Sequence, residues 1–215
     1  MRLRTDGVET RKRILQAACE VFAARGYRAA TVAAICRLAG ANSAAVNYHF
    51  QDKESLYVEV WRHAAEEAMR LYPFDGGVPA TAPVQERLRG FLVALLKRMT
   101  DRGRLGSFHR LRLMEMANPS GLIDRVQWQA VQPMRDYTHK LLKELLGPEV
   151  TGQELNHCEL SLVGPCLMAQ MTCQHPLPGS GLGPELDFES FANHCTEFLV
   201  AGVKSVRARR TRRKR

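Results

Sequence analysis

Residues 31–50 read TVAAICRLAGANSAAVNYHF. Thr31 precedes an eight-residue run, VAAICRLA, that closes at Gly40, and Asn42 precedes a second run, SAAVNYHF. Thr and Asn are good N-caps because their side-chain oxygens accept from the open N–H groups of a first helical turn. Glycine supplies the backbone freedom that a tight turn out of a helix requires. The stretch therefore reads as two short helices joined by a tight turn, and few local sequence patterns fix supersecondary structure so closely.

The flanks are helical too. In ETRKRILQAACEVFAAR (9–25), Ile14, Ala17, Ala18, Val21 and Phe22 share one face, and Gly26 stops the helix. Asp52 caps KESLYVEVWRHAAEEAMRLY, whose Leu56, Val60, Ala64 and Leu71 make a buried stripe. The turn-rich PFDGGVPATAP at 73–83 marks a domain boundary. Beyond it come VQERLRGFLVALLKRMTDR, GSFHRLRLMEMA ending at Asn118-Pro119, and a helix around 121–131. Pro133 is then read as the first residue of PMRDYTHKLLKELL, which Gly147-Pro148 closes. A long apolar helix over 152–174 is expected to kink at Gly164-Pro165, and DFESFANHCTEFLVAGVKSV is the last helix. No strand-like alternation stands out. The expected fold is all-α: an N-terminal three-helix helix-turn-helix domain over 8–68, with its motif at 31–50, and a C-terminal helical domain over 84–206.

Charge narrows the partners. The chain carries a formal net charge of +9 over 215 residues. Residues 1–50 hold eight basic and three acidic residues, whereas 51–206 hold sixteen basic and nineteen acidic. A foldable, positive N-terminal segment ahead of a slightly acidic body suits a nucleic-acid partner. The last nine residues, RARRTRRKR, hold seven basic residues and read as a disordered tail over 207–215. No run of about 18 apolar residues occurs, so no membrane span is expected. MRLRTDGVETRKR lacks the apolar core of a signal peptide, which makes the cytoplasm the expected location.

Catalytic and metal chemistry find little footing. The chain has no P-loop, H-E-x-x-H or nucleophile elbow, and GSGLG at 179–183 follows no strand, so neither an enzyme nor a cofactor is expected. Cys158, Cys166 and Cys173 share one helix face and read as small apolar core residues. Cys19, Cys36 and Cys195 complete the set, without the closely spaced ligand pairs from which metal sites start. The residues alone leave one alternative open: a helical ligand-binding or redox- or metal-sensing protein whose DNA binding is weak or non-specific.

In a helix-turn-helix the second helix enters the major groove. Ser43, Ala44 and Ala45 are small enough to let the backbone approach DNA, and Ala45 suits a thymine methyl. Asn47 can bond adenine bidentately, while Tyr48 and His49 can reach phosphate oxygens. Lys53, in the first turn of its helix, opposes the helix dipole unless a phosphate sits there. Thr31 can hold a phosphate in the same way, Arg28 lies just before it, and Arg2 and Arg4 could reach a minor groove as a flexible arm.

TVAAICRLAGANSAAVNYHFQDKESLY resembles the DNA-binding signature of the TetR family of bacterial transcriptional regulators. The shared pieces are the Thr opening the second helix, the A-G turn, the Y-H-F ending and the K-E-x-L-Y that follows. The resemblance covers about residues 8–68. It implies an all-α homodimer that binds a double-stranded palindromic operator. Carried over by position, Thr31, Tyr48, His49 and Lys53 become phosphate contacts, while Asn42, Ser43, Ala44, Ala45 and Asn47 lie at bases or the sugar-phosphate backbone. Asn47 stands where an aromatic is more usual, which implies a different base preference.

LRLMEMANPSGLIDRVQWQAVQPMRDYTHKLLKELLG, HCELSLVGPCLMAQ and FANHCTEFLVAGV are similar to the CecR-type subgroup, whose members are linked to membrane exporters and drug sensitivity. That similarity implies a repressor released by a small-molecule effector. It also implies a dimer interface of the last two long helices, with Leu160, Leu162, Val163 and Leu167 on one and Phe191, Phe198, Leu199 and Val203 on the other. The effector pocket is expected between about 84 and 170. His109, Arg112, Glu115, Met116, Trp128 and Gln170 are candidate lining residues, none of them singled out.

Overall fold

The computed structural model describes residues 2–101, 103, 105–174 and 186–213, and all regular structure among them is helical. Nine helices follow in order: α1 Arg2–Ala29, α2 Val32–Ala39, α3 Ser43–Phe50, α4 Lys53–Leu71, α5 Val84–Thr100, α6 Gly106–Ala117, α7 Asp124–Leu146, α8 Gly152–Gln174 and α9 Phe188–Arg213. No helix among the described residues is long and apolar enough to cross a membrane.

The helices sort into two compact units that do not follow a linear division at residue 84. One comprises Met1–Ala68 and Arg102–Val131, the other Met69–Asp101 and Gln132–Arg215. In the first, Ile14, Ala18 and Phe22 of α1 meet Ile35, Val46, Phe50, Leu56, Tyr57 and Val60 from the next three helices. Leu111 of α6 and Ile123 are fully buried in the same core. The reason lies in α1, where Leu15 and Ala23 are buried as well as the expected face. A helix apolar on two sides needs partners on both, and α6 packs along it.

Three boundaries differ from the sequence reading. The first helix begins at Arg2, so the arm expected at Arg2 and Arg4 is helical, as its proline-free sequence permits. Gly26, with φ of 71°, breaks the helix before Ala29. Next, α7 runs through Pro133 instead of starting there. Proline inside a helix forfeits one i→i−4 hydrogen bond; on the same stretch Gln132 Nε2 donates to Asp136 Oδ1 at 2.8 Å. By contrast α8 spans Gly152–Gln174 with Pro165 inside it, within the bounds expected from the sequence. The third difference is the tail: α9 continues to Arg213, so residues 207–213 are helical instead of disordered. Arg and Ala are strong helix formers, and no Gly or Pro interrupts them. Residues 214–215 lie outside the described residues.

In the second unit α5, α8 and α9 pack pairwise around Leu88, Phe91, Leu92, Leu96, Leu141, Cys166, Ala192 and Val203. The buried Arg87 is satisfied by both carboxylate oxygens of Glu144 at 2.7 Å and by the Ala82 carbonyl at 2.9 Å. Where the 73–83 connection meets α5, two backbones touch. A Cβ on Gly76 would stand 2.3 Å from the Gly90 carbonyl oxygen, and Gly76 also holds φ of +63°. Its neighbour Gly77 has φ of +73° with open space around it. Gly77→Ala is therefore expected to lose about 1 kcal/mol from left-handed strain alone. Gly76→Ala adds a backbone clash and is expected to lose about 2 kcal/mol or more. Urea unfolding of the two variants side by side checks this.

Candidate nucleic-acid interface

The turn at 31–53 is set by three caps. Thr31 Oγ1 accepts from the Ala34 N–H at 3.2 Å, Asn42 Oδ1 from the Ala45 N–H at 2.9 Å, and Asp52 Oδ1 from the Ser55 N–H at 2.7 Å. Gly40 takes the left-handed conformation, φ 59° and ψ 40°, that turns the chain between α2 and α3. Hydrogen bonding from the Ser55 backbone N–H holds the Asp52 carboxyl below the usual carboxylate range.

Two side chains decide which face of α3 is presented. Val46 and Phe50 are buried, one turn apart. Opposite them, Ser43, Ala44, Asn47 and Tyr48 form an exposed patch at i, i+1, i+4 and i+5, with Tyr48 84% exposed. Two residues expected beside them sit differently. Ala45 is half-buried and packs against the core. His49 is half-buried too: it lies against Gly7 and lines a groove of about 560 Å³ with Arg11, Glu54, Ser55 and Arg62. Helical spacing explains both, since residues 45 and 49 are one step round from the buried pair.

Lys53 is brought to Arg28. Its ammonium nitrogen lies 3.4 Å from the Arg28 carbonyl oxygen and 4.5 Å from the centroid of the Tyr27 ring. A carbonyl dipole and an aromatic face thus offset the cost of a cation in the first turn of α4. An ammonium has three donors, so this arrangement leaves capacity for an anion beside the exposed Thr31 and the exposed Arg28 side chain.

Beneath that cation lies a support that spacing did not reveal. The Tyr27 and Tyr57 ring centroids are 4.9 Å apart, and Phe22 meets Tyr57 edge-on at 4.8 Å. Tyr57 Oη donates to Glu115 Oε2 at 2.6 Å. The other Glu115 oxygen accepts from the Ser120 N–H at 2.7 Å and the Ser120 hydroxyl at 2.8 Å. Burial first, and the Glu115 carboxylate second, push the Tyr57 phenol well above its ordinary pKa. Glu115 thus serves the core of this unit. Arg11 was missed as well: it spans Phe50, 5.1 Å from the ring centroid, and Glu59 at 2.8 Å. Arg37 and Leu38 on α2 are both exposed; the cation placed as Arg37 is, in the last turn of α2, was the available signal.

The cysteines behave as packing groups. Cys158, Cys166 and Cys173 are buried. Burial pushes the Cys166 thiol up to about 12 and the Cys19 thiol to about 11, which keeps both protonated and poorly nucleophilic at neutral pH. Among the described residues no three His, Cys, Asp or Glu side chains group as a metal site.

Residues 84–203 match the family model of the C-terminal domain of the HTH-type transcriptional dual regulator CecR, and residues 14–60 match that of the bacterial regulatory proteins of the tetR family. The chain is 31% identical over 138 residues to the HTH-type transcriptional regulator SrpR of Pseudomonas putida, covering 64% of this chain and 62% of that one. The chain therefore spans less than two thirds of that relative. Among solved structures, FadR from Bacillus subtilis in complex with stearoyl-CoA has a TM-score of 0.66 at 18% identity, covering 89% of this chain and 98% of that one. AibR in complex with isovaleryl coenzyme A and operator DNA has a TM-score of 0.65 at 18% identity, with the same coverage.

Tyr57→Phe keeps the ring packing and removes only the hydroxyl, leaving one buried Glu115 oxygen without that donor. The expected cost is about 1–3 kcal/mol, read as a lower urea midpoint. Tyr57→Phe combined with Glu115→Gln should cost less than the sum of the two single changes.

Proposed function

Since the chain belongs to the TetR family of bacterial transcriptional regulators and carries the CecR-type C-terminal domain, we propose that it is a homodimeric repressor, bound to a palindromic operator and released by a small-molecule effector. One observation carries the reading: α3 is anchored by Val46 and Phe50 so that Ser43, Ala44, Asn47 and Tyr48 face outward. The Lys53 cation, docked at Arg28, supplies a phosphate clamp at the start of the next helix. Asn47 reads bases, Thr31, Tyr48 and Lys53 hold the backbone, and the half-buried Ala45 and His49 contribute at the edge of the contact.

The dimer is supported by unpartnered apolar surface. On α8, Leu160, Leu167, Met168 and Met171 are exposed at helical spacing, and on α9 Phe198 is 76% exposed. A monomer that left this stripe in water would be prone to associate. A two-fold axis there presents each patch to its own copy and gives two reading helices one helical turn of DNA apart, about 34 Å. An effector held in the C-terminal unit then shifts the dimer toward a conformation with the wrong spacing, which takes a coupling of about 1–3 kcal/mol per site. Acyl-CoA thioesters, the ligands named for two structural relatives, are the first class to screen, and export genes are the first targets to examine.

Selection from random duplex DNA over a salt series tests the reading head. A palindrome is expected. Asn47→Ala should lose about 1–3 kcal/mol and relax the selected sequence at one position per half-site. Lys53→Ala should weaken all sequences alike and flatten the salt slope by about 1 per head. No enriched motif, or a motif unchanged by both substitutions, overturns the proposal. Phe198→Asp should convert a dimer to a monomer in sedimentation and abolish palindrome binding; a dimer that survives it places the interface elsewhere.

A further inference from the structure

We propose that the C-terminal end of α9, Lys204 to Arg213, is a second DNA-binding element that grips the phosphate backbone of duplex DNA without reading its sequence. The inference takes from the function above only that this chain meets DNA, and it needs neither an operator nor an effector.

Four observations converge. First, these ten residues hold six basic side chains, Lys204, Arg207, Arg209, Arg210, Arg212 and Arg213, and the last acid of the chain is Glu197. Second, they are helical through Arg213, so the charges are spaced along a rod at about 1.5 Å per residue. Third, packing holds the start of the segment, and Arg207 to Arg209 are exposed. Val203 is buried and Val206 half-buried in the core of the C-terminal unit, and after Val206 only Ala208 and Thr211 are uncharged. Fourth, positions 204, 207, 209, 210, 212 and 213 fall all round a helix of 3.6 residues per turn.

Those features select the partner. Like charges at i, i+3 and i+4, as at 209/212, 209/213 and 210/213, repel one another, each pair costing tenths of a kcal/mol. A polyanion removes that cost. A membrane-surface helix needs an apolar face with Trp, Phe or Leu to insert, and residues 204–213 have none. Five of the six cations are Arg, whose planar fork bonds phosphate bidentately. Duplex DNA carries a charge every ~1.7 Å along its axis, a density comparable with that of the helix. A rod charged on all sides reads no bases; it condenses on backbone and displaces counterions.

The test is a full-length variant with Arg209, Arg210, Arg212 and Arg213 all changed to Gln. Gln is a good helix former, and circular dichroism verifies that helix is retained. Binding to a non-operator duplex is followed by anisotropy over a salt series. The variant should bind that duplex at least tenfold more weakly at low salt, with a slope lower by up to about 3–4 per chain, while the sequence preferred in random selection stays the same. Asn47→Ala provides the cross-check: it should relax the selected sequence and leave the tail's salt-dependent binding in place. Unchanged affinity and slope in the four-Arg variant overturn the proposal. So does a variant that loses binding to phosphatidylserine vesicles but keeps its grip on DNA. If Asn47→Ala leaves selection unaltered, the reading head fails and the tail inference stands on its own slope.

Discussion

Everything the N-terminal unit presents depends on two side chains of an eight-residue helix. Alone in water a helix as short as α3 does not persist. Its direction and rotation come from burying Val46 and Phe50 in a core to which α1, α2, α4 and α6 all contribute. Rotating α3 by one residue would bring Asn47 inward and turn Val46 toward solvent. The apolar anchor therefore specifies the polar face, and the caps at Thr31, Asn42 and Asp52 fix where each helix starts beneath it.

Lys53 shows how a local penalty is offset. Its position opposes the α4 dipole, yet the structure surrounds the ammonium with the π-face of Tyr27 and the carbonyl of Arg28. These contacts are weak individually, and none neutralises the charge. A full ion pair would neutralise the ammonium; these contacts do not. What remains is a charge held in place from below by Tyr27, Tyr57, Phe22 and Glu115, with an anion still able to approach.

Local signals were legible in the sequence, and long-range pairings were not. The caps and the Gly26 and Gly40 breaks follow from propensities that act within a few residues, as does the buried face of Ile14, Ala18 and Phe22. Leu71, expected in the buried stripe of α4, is only half-buried at that helix's last residue. Glu115 looked like a free pocket residue because its partner Tyr57 is 58 positions away. Pro133 reads as a helix start because proline is favoured there, yet α7 runs through it, and packing along a helix of 23 residues offsets the roughly 3 kcal/mol that an interior proline costs. The assignment of residues 102–131 to the N-terminal unit was hidden for another reason: the second apolar side of α1 becomes visible only when Leu15 and Ala23 are seen to be buried.

The division of α7 carries the last step. Its residues up to Val131 belong with the N-terminal unit and those from Gln132 with the other, and Pro133 stands next to that boundary. Proline there leaves the Gln129 carbonyl without its i+4 donor, which makes this the point at which the helix bends at least cost. Ile123, just before α7, is fully buried in the core that rotates α3, and Ser120, three residues earlier, is bonded to the Glu115 that holds Tyr57. Continuity of α7 through Pro133 therefore rests on the packing before and after that residue: Ile123 is buried in one core, and Leu141, Leu142 and Leu146 are buried in the other.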